Sequence, residues 1–243
     1  MRFIWEHNGD DTLLYSEECI GAFTRGANLE EAIEKIPDEI NSYLNWRKEP
    51  ALENITIEII QEKNSNLQIK DADSDVIFDT ETSPLSTEEY LQLKEMVLQS
   101  ALDFYKLYLS IPDKNVSCLP KRNTFYGAVP RTAQEMYEHT KNVNAYYFGE
   151  IGIETDNEGT IFDCREKGFS LLEESPNFLE NPVTEGSYGE LWSLRKMLRR
   201  FIWHDRIHAK AMYRMATKTF GVFSTVNPFC FPADLSITKE DSP

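Results

Sequence analysis

Cysteine and histidine are scarce in this chain, and basic residues are outnumbered. The four cysteines among 243 residues (Cys19, Cys118, Cys164, Cys230) lie far apart and form no CxxC pair. That spacing argues against a disulfide framework or a zinc knot and fits reduced thiols, so a cytoplasmic location is expected. Twenty-five Lys/Arg face 41 Asp/Glu, a net charge of −16. A chain this acidic is a poor general binder of nucleic acid or of anionic membrane, and neither is expected as a partner. No apolar run approaches the roughly eighteen residues that span a bilayer. The opening residues 1–14 hold no basic region followed by an apolar block, so no secretory signal is expected there. GxGxxG, GxxxxGK[ST] and GxSxG are all missing, which leaves nucleotide-binding and serine-hydrolase chemistry without textual support. What is present is enough apolar sequence for a core, at 41% with 12% aromatic, so wholesale disorder is excluded.

The charge is divided unevenly. Residues 1–84 carry 7 Lys/Arg and 19 Asp/Glu (net −12), and residues 85–243 carry 18 and 22 (net −4). The change falls at Thr80–Pro84, a polar stretch that reads as a linker. The expected organisation is therefore an acidic α+β domain over 1–84, a helical domain over 85–220 and a C-terminal tail over 221–243. In the first segment, Arg2–Glu6 and Thr12–Tyr15 read as strands around an Asn8-Gly9-Asp10 turn, and Ile20–Thr24 continues the extended pattern. Asn28 with Glu31 marks a helix start, and Pro37 predicts a break inside the helix. Ile55–Ile60 alternates as a strand should, with Val76–Phe78 as one more candidate. The order is of ββαβ type.

The second segment is helical. Ser86 caps a helix that ends near Pro112; others are predicted over Thr132–Glu150, Ile161–Glu174 and Glu190–Lys218, with Gly221 as a stop. Four helices predict a four-helix bundle, and the fold class is α+β.

Three of the four histidines carry the functional argument. His204 and His208 stand four residues apart, on a helix face shared with Leu194, Met197, Phe201, Met212 and Met215. His139 lies between Met136 and Val143 on another helix. Imidazoles turned into a core cost free energy unless their polar atoms are satisfied. One divalent metal ion would satisfy all three and leave a coordination position open; the plain alternative is hydrogen-bonded core histidines. His204–His208 is also one methylene short of HExxH, with Asp205 as the candidate base. No histidine follows His208, and the next glutamate is Glu240, so the usual downstream third ligand of such peptidases is missing.

Residues 131–139 (RTAQEMYEH) and 191–208 (LWSLRKMLRRFIWHDRIH) resemble the DinB superfamily of metal-binding four-helix bundles. That family has one histidine on its second helix and HxxxH on its last. The resemblance implies a zinc or nickel ion held by His139, His204 and His208. It also implies a small-molecule substrate, with a low-molecular-weight thiol as one candidate, and a homodimer. Thiol S-transfer and hydrolysis are the reactions to expect, and the residues do not choose between them. Residues 19–32 (CIGAFTRGANLEEA) more weakly resemble the HicB antitoxin-like fold. Within this sequence no DNA-binding module follows that strongly acidic unit, which points to docking or regulation. A non-catalytic reading competes with the enzyme: a metal-binding or interaction module whose acidic domain binds a protein partner.

Further candidates are secondary. Asp205 stands beside His204 as a candidate catalytic carboxylate. Arg199 and Arg206, with Arg195 and Lys210, form a basic stripe read as a substrate-binding surface, a solvated face, or a dock for the acidic segment. Tyr137 is a candidate substrate-binding phenol. Tyr146, Tyr147, Trp203 and Tyr213 share the same helices, where core packing is the commoner role.

Overall fold

A computed structural model describes residues 1–124, 127–221 and 224–232. The protein is mixed α+β, with a small N-terminal sheet followed by helices. Strands β1 (Arg2–Asn8), β2 (Asp11–Ser16), β3 (Phe23–Gly26) and β4 (Glu58–Asn64) form a sheet of order β3-β2-β1-β4. The first three are antiparallel neighbours, and β4 runs parallel to β1. Helices α1 (Leu29–Glu34) and α2 (Ile36–Trp46) lie between β3 and β4. The break expected near Pro37 falls at Lys35, and the proline sits in the first turn of α2. There its missing N–H costs nothing. The strand expected at Ile55–Ile60 is displaced to Glu58–Asn64, and Ile59 and Ile60 are exposed. Val76–Phe78 is not a strand; Val76 and Phe78 are buried as irregular chain under the sheet.

Four longer helices follow: α3 (Thr87–Ser110), α4 (Ala133–Glu150), α5 (Ile161–Glu173) and α6 (Leu194–Phe220). Local chemistry fixes where each begins. Ser86 with Glu89, Thr132 with Glu135 and Thr160 with Asp163 form reciprocal caps, and the Ser193 hydroxyl accepts from the Lys196 N–H. Ser193 therefore starts α6 four residues later than the expected Glu190. The residues before it pair as short strands, β7 (Thr184–Glu185) with β8 (Leu191–Trp192). Helix α6 packs against α3 and α4, and α5 packs against the same two. Between α3 and α4, a hairpin of β5 (Asn123–Thr124) and β6 (Gly127–Ala128) crosses toward the N-terminal unit, where Arg122 pairs with Asp71.

The boundary at residue 84 is a boundary of charge and not of packing. Phe3 and Leu14 share one continuous core with α1, α2 and the four long helices. On the other sheet face, Ile4, Leu13 and Tyr15 form a second cluster with Phe23, Val76, Phe78 and Trp203 of α6. Contact is close enough to exclude a side chain at Gly21, where an added Cβ would lie 2.5 Å from Ile202. The segment expected as a tail also contributes. Phe229 and Phe231 are buried, and Phe229 meets Trp46 at 5.3 Å between ring centroids. Residues 222, 223 and 233–243 of that segment lie outside the described residues. Among the described residues no helix is long and apolar enough to cross a membrane.

Candidate metal centre and its cavity

Helix α6 carries His204 and His208 one turn apart, and α4 brings His139 against them. The His204 and His208 Nε2 atoms are 3.2 Å apart. Ring centroids are 4.4 Å apart for that pair, 5.2 Å for His139–His204 and 4.6 Å for His139–His208. One nitrogen from each residue can be chosen so that all three lie within 4.8 Å of one another. Two imidazole nitrogens bound tetrahedrally at about 2.0–2.1 Å from one zinc-sized ion lie roughly 3.3 Å apart. The His204–His208 separation fits that requirement, and the donor set suits zinc or nickel.

The electrostatics agree with neutral imidazoles. Burial, reinforced by His208, His139, Arg200 and Arg165, holds the His204 pKa well below the ordinary histidine value. Burial and His139 bring His208 down to about 3. Neutral imidazole is the form that ligates. His204 Nδ1 is buried and has no hydrogen-bond partner among the described residues. Metal-binding histidines usually give that N–H to an acceptor, and this one does not. His139 departs from the expected inward position: it is exposed, on the wall of a cavity.

That cavity measures about 640 Å³ and has all three histidines on its wall. Around them stand Met136 and Tyr147 of α4, and Arg200, Trp203, Ile207, Ala211, Arg214 and Met215 of α6. The opposite wall comes from Phe23–Arg25, the start of α2, residues 71–74 and the hairpin region. The volume is that of a small-molecule pocket.

Four of the candidate residues are placed elsewhere. Asp205 is fully buried in a two-point ion pair with Arg165, at 3.2 and 2.8 Å, and points away from the triad. Burial raises its pKa while Arg165 opposes the rise, and a carboxylate so held is no proton acceptor for the cavity. Arg199 is buried against Glu81 and donates to the Val76 carbonyl. Its guanidinium stacks 3.9 Å from the Phe78 ring centroid. Arg206 donates to Glu39 at 2.8 Å beneath Tyr43 and Trp46. The Tyr137 hydroxyl accepts from the Ile161 N–H, its ring stacks on Tyr108, and burial pushes its pKa to about 12. None of the four lines the cavity. The helix face chosen for Arg199 and Arg206 is the one the N-terminal unit covers.

Sequence reasoning gave Arg200 only as a neighbour of the basic stripe and passed over Arg25 and the wall at residues 71–74. Arg200 was within reach, because it stands four residues before His204 on the same helix face. The other two come from distant segments and carry no local signal. The chain matches no family model, no curated protein and no solved structure.

Proposed function

We propose that the protein is a divalent-metal-dependent enzyme acting on a small molecule, with the helices arranged as a DinB-like bundle. His139, His204 and His208 would hold the ion, zinc or nickel. The observation that carries this reading is the coincidence of the triad with a pocket large enough for a substrate. A metal with only structural work is typically closed by its ligands, whereas this triad opens on a cavity. When bound, such an ion supplies Lewis acidity and lowers the pKa of a coordinated water or thiol toward neutrality.

The chain's own residues do the remaining work. Burial keeps His204 and His208 neutral, and their Nε2 atoms lie 3.2 Å apart. Trp203, Ile207, Met136 and Met215 give the pocket apolar surface that excludes water from part of the site. The ligating cluster consists of histidines alone among the described residues, while Asp38 and Asp73 stand elsewhere on the cavity wall. Thiol transfer to an electrophile and hydrolysis both satisfy that arrangement.

The competing module reading has the acidic domain free to bind a partner. Against it, Glu39 and Glu81 are already occupied by Arg206, Lys210 and Arg199 of the same chain.

The test is elemental analysis of purified protein after incubation with zinc or nickel. About one equivalent is expected in the wild type, with loss in His204→Ala and His139→Ala. Absence of metal from the wild type would overturn the reading.

A further inference from the structure

Buried arginines in this protein divide into two kinds. Arg165, Arg199 and Arg206 each meet a carboxylate: Asp205, Glu81 and Glu39. Arg200 meets none within ion-pair distance among the described residues, although it is only 9% exposed. It donates to the Ser74 carbonyl at 3.0 Å and to the Tyr147 hydroxyl. Its Nε has no partner among the described residues, as is also true of Arg165 Nε, Arg199 Nη1 and two nitrogens of Arg206, so the missing carboxylate is what sets Arg200 apart. The two carboxylates that act on it from a distance, Glu190 and Glu6, have partners of their own. Glu190 pairs with Lys196 at 2.8 Å, and Glu6 accepts from Tyr15, Ser74 and the Asp75 N–H. The guanidinium lies 4.7 Å from the Trp203 ring centroid and 5.7 Å from that of Tyr147. Stacking on those rings fixes the plane of the fork. A buried cation that meets no carboxylate is costly unless something outside the chain supplies the counter-charge.

Arg200 lines the cavity, and its neighbours there are biased to the same sign. Eight Lys/Arg and four Asp/Glu line the wall, a net of 8 − 4 = +4. Two of those acids pair with two of those cations, Glu39 with Lys210 and Asp71 with Arg122, which leaves the net of +4 unchanged. A positive cavity inside a chain of net charge −16 selects its ligand by charge.

We propose that this cavity takes a small oxyanion, a carboxylate or phosphate group seated on Arg200, one helical turn from His204. A turn is about 5.4 Å, so a ligand anchored on Arg200 presents its next few atoms to the histidine triad. The inference rests on the reading of this cavity as the substrate site, and it narrows the substrate to an anionic small molecule. Arg200 acts as the anchor that orients it.

The experiment is calorimetric titration of the full chain with succinate, with inorganic phosphate and with the neutral diamide of succinate. Proteins compared are wild type, Arg200→Gln and metal-free His204→Ala. Saturable binding of succinate or phosphate is expected in the wild type, with none of the diamide; which anion binds tells carboxylate from phosphate. Binding weakens about tenfold or more in Arg200→Gln and persists in His204→Ala. No anion binding by the wild type at ten-millimolar ligand overturns the proposal while leaving the metal centre standing. Equal affinity in wild type and folded Arg200→Gln, or loss confined to His204→Ala, overturns it too. Should Arg200→Gln fail to fold, Arg200→Lys keeps the charge but loses the fork. It is expected to bind several-fold more weakly, and unchanged affinity would overturn the assignment.

Discussion

Helix α6 has two charged sides, and they have opposite fates. On one, Arg199, Arg206 and Lys210 are matched by Glu81 and Glu39 from the acidic N-terminal unit. On the other, Arg200 and the histidine pair face the cavity, at whose edge Lys210 and Glu39 also stand, and Arg200 meets no carboxylate among the described residues. Both sides are buried and polar, and both are costly to build. The first cost is offset within the chain by opposite charge; the second is not offset by any carboxylate among the described residues, which is the basis of the proposed anion site. The lesson is that a run of basic residues on one helix is not one feature. Positions a single residue apart point about 100° apart and belong to different chemistry, which is why Arg199 fastens the fold while Arg200 faces the pocket.

Substitutions at Glu39, at the Glu81–Arg199 pair and at Arg200 test that division. Glu39→Ala carries the largest expected effect. It strands Arg206 and Lys210 together, and loss of about 3–5 kcal/mol is expected in denaturant unfolding. Loss below about 1 kcal/mol would mean that the matched side is ornamental. The same pair gives a pH signature. Burial pushes the Glu39 pKa up, but Lys210 and Arg206 outweigh it and hold it below the ordinary glutamate value. A folded-state pKa below the unfolded one gives stability that is present above the unfolded value and lost as pH falls through the folded one. Melting temperature against pH should therefore fall less steeply at the acid end in Glu39→Gln than in wild type.

Smaller is the effect of removing a matched pair whole. Glu81→Leu alone should cost several kcal/mol, and joining it to Arg199→Met should restore stability to within about 1–2 kcal/mol of wild type. No recovery in the double variant would show that Glu81 acts through its own backbone contacts and not through the pair. Smallest is Arg200→Gln, which gives up the bonds to the Ser74 carbonyl and the Tyr147 hydroxyl but relieves a charge that meets no carboxylate. A change within about 1 kcal/mol in the absence of ligand is expected. A larger loss would move Arg200 to the matched side.

Much of this was legible in the sequence, for identifiable reasons. The strand pair around Gly9 and the helix starts at Asn28, Ser86 and Thr132 depend on neighbours three or four residues away, and they appear where expected. The histidine cluster was legible because two of its members lie one helix turn apart. Two features misled. Ile59 and Ile60 look like core residues but lie on the outer strand of the sheet, where pairing with β1 is decided by the partner. Asp205 looked like a base because it adjoins His204; its role is set by Arg165, forty residues earlier. The exposure of His139 and the far wall of the cavity depend on how the two parts of the chain pack. No local pattern encodes that.

The matching of Glu39 to Arg206 and Lys210 spans 167 and 171 residues of chain. During synthesis the acidic sheet unit therefore exists long before the cations that neutralise it. At the usual elongation rates of about 5–20 residues per second, that interval is roughly ten to thirty seconds. Until α6 is complete, Glu39 and Glu81 have no counter-charge from that helix, and Leu13 and Tyr15 have no Trp203 against them. The last long helix is thus the closing step of assembly, and a nascent chain halted before it would present a half-covered, strongly acidic sheet to whatever surrounds the ribosome.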